Sequence, residues 1–212
     1  MRVGALFERA FGCSGVFYDI HLRCCHPALS CSLMSIVTKT GDNGSTRLMF
    51  NHEVSKHDPR VDAYGAVDEF SAALGMLRAN PSTTDSLSQR VLSIQKHLIG
   101  LMGEISTPVE SVAKYDKAGY GRIIKENIEE IELRIQKLED TLGPFTDWSL
   151  PGGSETGALA DWARVVCRRS ERAVCSLNSA EPLQNKSILI YLNRLSDWLW
   201  LEARLLDAAG QG

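Results

Sequence analysis

"YGRIIKENIEEIELRIQKLEDTLGP", residues 120–144, decides the fold class. Ile124, Ile128, Ile131, Ile135, Leu138 and Leu142 recur at steps of four and three, the repeat that lines apolar side chains along one face of an α-helix. Glutamates and basic residues fill the other positions and read as a solvated face; Gly143-Pro144 supplies the stop. Upstream the same rhythm recurs. Asp58 stands as an N-cap with Pro59 at the first helical position, where its missing N–H costs little. Ala63, Val67, Phe70, Leu74 and Leu77 then step along one face until Pro81. Leu87, Val91, Ile94, Leu98 and Leu101 repeat the pattern, and downstream two further helices are expected near residues 154–177 and 183–206. Five helices with short connections predict an all-α fold, a five-helix bundle. "STRLMF" (45–50) alone has strand character, and 104–119 reads as an irregular connection with Pro108, Gly119 and Gly121 as breakers.

The chain has 212 residues, 44% hydrophobic and 23% charged, which suits one globular domain with a real core. A net charge of −3 offers no basic excess for nucleic acid, and no apolar run is long enough to span a membrane. Of six cysteines, Cys13, Cys24, Cys25 and Cys31 crowd the N-terminus, while Cys167 and Cys175 lie inside a helical pattern. That is no disulfide framework, so a reducing compartment is expected. "CCH" (24–26) lacks a second ligand pair at zinc spacing. Residues 1–33 carry three arginines, no lysine and only Glu8 and Asp19 as acids. They read as an extension, either a mis-assigned start ahead of Met34 or a mitochondrial transit peptide. The functional domain is expected over 34–212, in the cytoplasm, or in the mitochondrial matrix if the transit reading holds.

Chemistry concentrates in two places. In "LPGGSETGALADWARVVCRRSERAVCSL" (150–177), Arg164, Arg168, Glu171 and Arg172 share roughly a third of the helix circumference. Leu159, Trp162, Ala163, Val166 and Ala173 fall opposite and are expected in the core. Guanidiniums grip phosphate through paired hydrogen bonds, although a solvated face with i,i+3 and i,i+4 pairs to Glu171 is the simpler alternative. The second place is "TKTGDNGST" (38–46). Gly41 and Gly44 permit an anion-binding nest; Thr38, Thr40, Ser45 and Thr46 offer hydroxyls; Lys39 and Lys56 add charge. It is no Walker A loop, and alone it reads as a turn. Together, the two segments could hold one triphosphate. Asp68 and Glu69 could be surface acids or metal ligands, but a di-iron site is excluded because no histidine follows a glutamate by three. Asn193 and Asp197 are polar residues in a strongly apolar helix.

The ordered set "TKTGDNGST", "KHDPRVDAYGAVDEFSAALG", "LPGG", "RVVCRRSER" and "YLNRLSDWLW" closely resembles the PduO-type ATP:cob(I)alamin adenosyltransferases, from about residue 36 to 204. The resemblance implies a five-helix bundle assembling as a homotrimer, with ATP and corrinoid meeting between subunits. It implies transfer of the 5′-deoxyadenosyl group of ATP to the cobalt of cob(I)alamin, with Mg²⁺ accompanying the nucleotide and triphosphate released. Thr38, Lys39, Thr40, Gly41, Ser45, Thr46 and Lys56 would then hold ATP, completed by Arg168, Arg169, Glu171, Arg172 and Asn193 from a neighbouring surface. Asp68 and Arg164 would organise the corrinoid side. Trp148 stands where the family usually has a phenylalanine thought to help displace the lower axial ligand of cobalt, and Asp161 where many relatives have histidine. A reductase or a cobalamin-dependent enzyme is a conceivable partner. A non-catalytic bundle carrying or sensing ATP or corrinoid is the alternative, and a kinase would differ by releasing ADP.

Overall fold

The computed structural model describes Lys39 and residues 41–210; Thr38, Thr40 and the whole 1–33 extension lie outside the described residues. Two short strands, β1 (Ser45–Arg47) and β2 (Glu53–Ser55), precede six helices: α1 (Pro59–Ala79), α2 (Asp85–Ile105), α3 (Val112–Ala118), α4 (Lys125–Leu142), α5 (Glu155–Ala180) and α6 (Ser187–Ala209). The expectation of five helices is therefore corrected to six among the described residues. The extra one, α3, is a seven-residue helix in the segment read as irregular. Seven residues are too few for a periodic stripe to declare itself.

Local chemistry sets the helix ends. The Asp58 carboxylate accepts from Arg60 N at 2.8 Å, and Ser154 Oγ accepts from Gly157 N at 2.9 Å, each satisfying an N–H that has no partner within its helix. Gly143 closes α4 at φ 70°, a conformation that costs glycine nothing. The third expected helix, now α4, begins later than its stripe suggested. Ile124 is extended and half exposed, because a close approach holds the chain before it: a Cβ on Gly100 would stand 2.8 Å from the Gly121 carbonyl. The strand reading of 45–50 also shortens. The ladder pairs Ser45 with Ser55, Thr46 with Val54 and Arg47 with Glu53, then breaks as Phe50 and Asn51 take positive φ.

Helix α5 is central, packing on α1 at one flank and α6 at the other, with α2 against α1 and α4 against α6. Helices α1 and α5 run antiparallel: Ser170 Oγ donates to Ala66 O at 2.6 Å near one end, and Asn80 Nδ2 to Glu155 Oε1 at 3.0 Å near the other. Val67, Phe70, Leu98, Val166, Leu195 and Trp198 are among the fully enclosed side chains, and burial of such groups is the main stabilising term, about 1.5–3 kcal/mol for each large one. Many polar groups inside are paired, although among the described residues Arg90 Nε, Arg122 Nε, Arg134 Nη1 and Arg204 Nε are buried without a hydrogen-bond partner. Trp198 Nε1 donates to Glu202 Oε1 at 3.1 Å, and Arg90 Nη2 reaches the same oxygen at 3.3 Å.

Candidate active site

The N-terminal loop folds back on the end of β2. Gly44 N donates to Gly41 O at 3.2 Å and Lys56 N to Gly44 O at 2.9 Å. Gly44 has φ +83°, and the Lys56 ammonium lies 3.4 Å from where a Cβ of Gly41 would stand. So Gly41 and Lys56, fifteen residues apart in sequence, lie side by side. Lys39 is exposed with φ 55°. Ser45 is committed locally: its N–H and hydroxyl both reach Asn43 Oδ1, at 3.1 and 2.8 Å. Burial pushes the pKa of the Tyr64 hydroxyl up, with neighbouring Thr46 opposing the shift.

On α5 the guanidiniums of Arg168, Arg169 and Arg172 are exposed along one flank. Their lengths are partly tethered. Arg172 Nη1 donates to Arg168 O at 3.2 Å, and Arg169 pairs with Glu69 of α1. Between them Glu171 accepts from Asn193 Nδ2 of α6 at 3.2 Å. Arg168, Glu171 and Arg172 thus lie near one another on α5, and Asn193 reaches Glu171 from α6. Trp162 is the exception to the expected core face: it is 48% exposed, and Ala160, Cys167 and Ser170 occupy the buried stripe instead. Trp162 lies on a part of α5 that α1 and α6 leave exposed.

Arg164 and Asp68 are not joined. Arg164 Nε instead binds Asp161 Oδ1 at 2.9 Å, and Asp68 is exposed on α1. Asp161, 3% exposed, also pairs with Arg204. This gives Asp161 a physical reason: a carboxylate buried between two guanidiniums is compensated, and a neutral side chain would remove one partner of Arg204. Arg204 and Asp207 carried no local sequence signal. Nor do residues 41–56 and the arginine row come together: among the described residues no hydrogen bond or ion pair links them.

The segment after α4 forms the other exposed feature. Trp148 is 99% and Leu150 84% exposed. Phe145 meets Trp200 of α6 edge to face, ring centroids 4.5 Å apart. They wall a cleft of about 600 Å³, with Ile135, Arg194, Asp197 and Leu201 among its other sides. On the far side of Phe145 a second hollow of about 360 Å³ runs past Leu150 to Arg204 and Asp207.

The cobalamin adenosyltransferase family model matches residues 36–206. The chain belongs to the cobalamin adenosyltransferase family. A cobalamin adenosyltransferase of Cupriavidus metallidurans is 37% identical over 180 residues, 85% of this chain and 92% of the relative. A corrinoid adenosyltransferase of Bacillus subtilis is 32% identical over 178 residues, 82% of this chain and 88% of the relative. Among solved structures, a variant PduO-type ATP:corrinoid adenosyltransferase from Lactobacillus reuteri, complexed with cobalamin and ATP, superposes with a TM-score of 0.75. It is 30% identical, with 84% of this chain and 96% of that one covered. Family membership bears out the resemblance carried by the quoted motifs.

Proposed function

We propose that this chain transfers the 5′-deoxyadenosyl group of ATP to the cobalt of cob(I)alamin, forming adenosylcobalamin and releasing triphosphate. The observation that carries the reading is the exposed guanidinium row Arg168, Arg169 and Arg172 with Glu171 held by Asn193, on a member of this family. Cob(I) is already a strong nucleophile, so the protein's task is to position the ribose carbon and to stabilise the departing triphosphate. The arginine row supplies charge for the leaving group. Gly41, Lys56 and the hydroxyls of Ser45 and Thr46 supply a second grip, and Thr38, Lys39 and Thr40 are assigned to the same phosphate loop.

The site is proposed to be completed by a second copy in a homotrimer. Two features support this: loop and arginine row are not linked within one chain, and Met76, Trp162 and Val165 are 54%, 48% and 41% exposed on the antiparallel α1–α5 pair. Asp68 and Arg164 would serve the corrinoid side across that boundary. The corrinoid is placed against the Phe145–Trp200 cleft with Trp148 closing over it. Among the described residues no cluster of three His, Cys, Asp or Glu side chains is arranged to hold a metal. Mg²⁺ is proposed to accompany the nucleotide, where it would offset phosphate charge. A reductase supplying cob(I)alamin is the proposed partner. No helix among the described residues is long and apolar enough to cross a membrane; the unpaired thiols of Cys167 and Cys175 support a cytoplasmic setting.

The test is turnover of purified protein with ATP, Mg²⁺ and chemically reduced cobalamin. Adenosylcobalamin and inorganic triphosphate should form in equal amounts. Binding of both substrates without product would reduce the protein to a carrier, and ADP would make it a kinase.

A further inference from the structure

Arg164, Asp161, Arg204, Asp207 and Ser154 form one continuous polar chain across the start of α5 and the end of α6. Asp161 Oδ1 accepts from Arg164 Nε at 2.9 Å, while its Oδ2 meets Arg204 Nη2. That same nitrogen lies 3.2 Å from Asp207 Oδ2, and Asp207 Oδ1 accepts from Ser154 Oγ at 3.1 Å. Two cations and two carboxylates balance one another in a setting where Asp161, Arg204 and Asp207 keep only 4%, 7% and 13% of their side-chain surface.

The backbone is shaped around this chain. A Cβ on Gly157 would stand 2.0 Å from Asp207 Oδ1, and one on Gly153 would stand 2.8 Å from Asp207 Cγ. The Asp207 carboxylate therefore occupies space that only glycine leaves open at both positions. Arg164 behaves differently from its partners. Its side chain is 23% exposed, Asp161 engages only Nε, and the two terminal nitrogens have no partner among the described residues. A guanidinium fixed along its Nε edge, with its fork left available, is a pre-aimed cation.

We propose that Asp161, braced by Arg204, is a positioning residue that holds the Arg164 guanidinium in the orientation the corrinoid side requires. The same chain of charges, through Asp207 and Ser154, locks the start of α5 at the foot of the Pro151–Gly153 turn that follows Trp148. The proposal rests on the assignment of Arg164 to the corrinoid side. Asp161 does not touch substrate; it acts through Arg164.

The experiment compares Asp161→Asn, Arg164→Ala and the double variant in steady-state assays with ATP, Mg²⁺ and chemically reduced cobalamin, with circular dichroism to verify folding. Asp161→Asn should lower kcat/KM for cob(I)alamin tenfold or more while KM for ATP stays within twofold, and Asp161→Glu should restore part of the loss. The double variant should be no worse than Arg164→Ala alone, because both changes remove one function. Losses that multiply in the double variant, with Arg164→Ala itself impaired, would overturn the positioning role and leave the Arg164 assignment standing. Wild-type corrinoid kinetics in Arg164→Ala would overturn both. If Asp161→Asn does not fold, Asp161→Ser takes its place in the cycle, and wild-type corrinoid kinetics in that variant would overturn the proposal.

Discussion

Asn193 on α6 donates through Nδ2 to Glu171 Oε1 on α5 at 3.2 Å, which pins a carboxylate in the middle of the arginine row. Glu171 is thereby held by a neutral donor while Arg168 keeps its guanidinium free for a ligand. Arg168→Ala should therefore cut turnover roughly tenfold or more, each 1.4 kcal/mol of lost transition-state stabilisation being a factor of ten. Its exposed side chain contributes little to the fold, so stability should change by no more than about 0.5 kcal/mol. Paired kinetics and thermal melts check both halves. Wild-type turnover would remove Arg168 from the triphosphate site.

Trp148 is 99% exposed among the described residues, so Trp148→Ala should leave the melting temperature unchanged. Its effect should appear in the route to cob(I). Starting from cob(II)alamin with a reductant, the alanine variant should be slowed about tenfold or more, whereas with pre-reduced cob(I)alamin it should approach wild type. Trp148→Phe should retain both activities. Equal losses in the two assays would assign Trp148 to corrinoid binding alone.

The bundle was legible in the sequence because helix periodicity is a local property. The Ile128–Ile131–Leu138 stripe and the Asp58-Pro59 start need only neighbours within a turn or two. Trp162 misled for the same reason: its angular position suits the core, yet no helix covers that side of α5. The arginine row was readable from spacing along one helix. Its counterpart, the Asp161–Arg204 pair, joins residues separated by 43 positions, and nothing local announces such a contact. The one written trace is Gly153 and Gly157 in "GGSETG" (152–157), needed where the Asp207 carboxylate presses in.

That trace is open to test by stability. In Gly157→Ala, the new Cβ would collide with Asp207 Oδ1 at 2.0 Å and crowd Ser154 Oγ at 2.8 Å. Asp207 would have to swing off Ser154, and Arg204 would lose a partner. Overpacking of this kind costs about 1–3 kcal/mol, offset by up to about 1 kcal/mol of better helix propensity. For a chain of this size each kcal/mol moves the melting point by about 2–4 °C. A fall of several degrees in a thermal melt is expected, and a rise would show that Asp207 relaxes without loss.

The pH dependence of stability should carry the mark of His97. Its Nδ1 lies 2.9 Å from the Tyr191 hydroxyl and its Nε2 3.3 Å from Asn127 Nδ2. The amide N–H₂ can only donate, so Nε2 is the acceptor and Nδ1–H donates to Tyr191, which fixes a neutral ring. Burial lowers its pKa, with Glu130 opposing and Arg134 reinforcing the shift. A histidine held neutral in the folded chain binds fewer protons there than when unfolded. Its contribution is whole above the unfolded value of about 6.5 and is lost as pH falls from there toward the lower folded value. Glu104 and Glu202 act with the opposite sign. Burial raises both carboxyls, so the folded chain takes up protons first, and stability rises as pH falls through their raised values toward about 4.5. The two effects overlap, and a single wild-type curve would blur them. The difference between wild type and His97→Gln isolates the histidine, because both proteins share the glutamates. Urea unfolding from pH 7.5 to 5.0 should show the wild type losing stability relative to His97→Gln below about pH 6.5. A pH-independent gap between the two curves would mean that His97 does not titrate on unfolding.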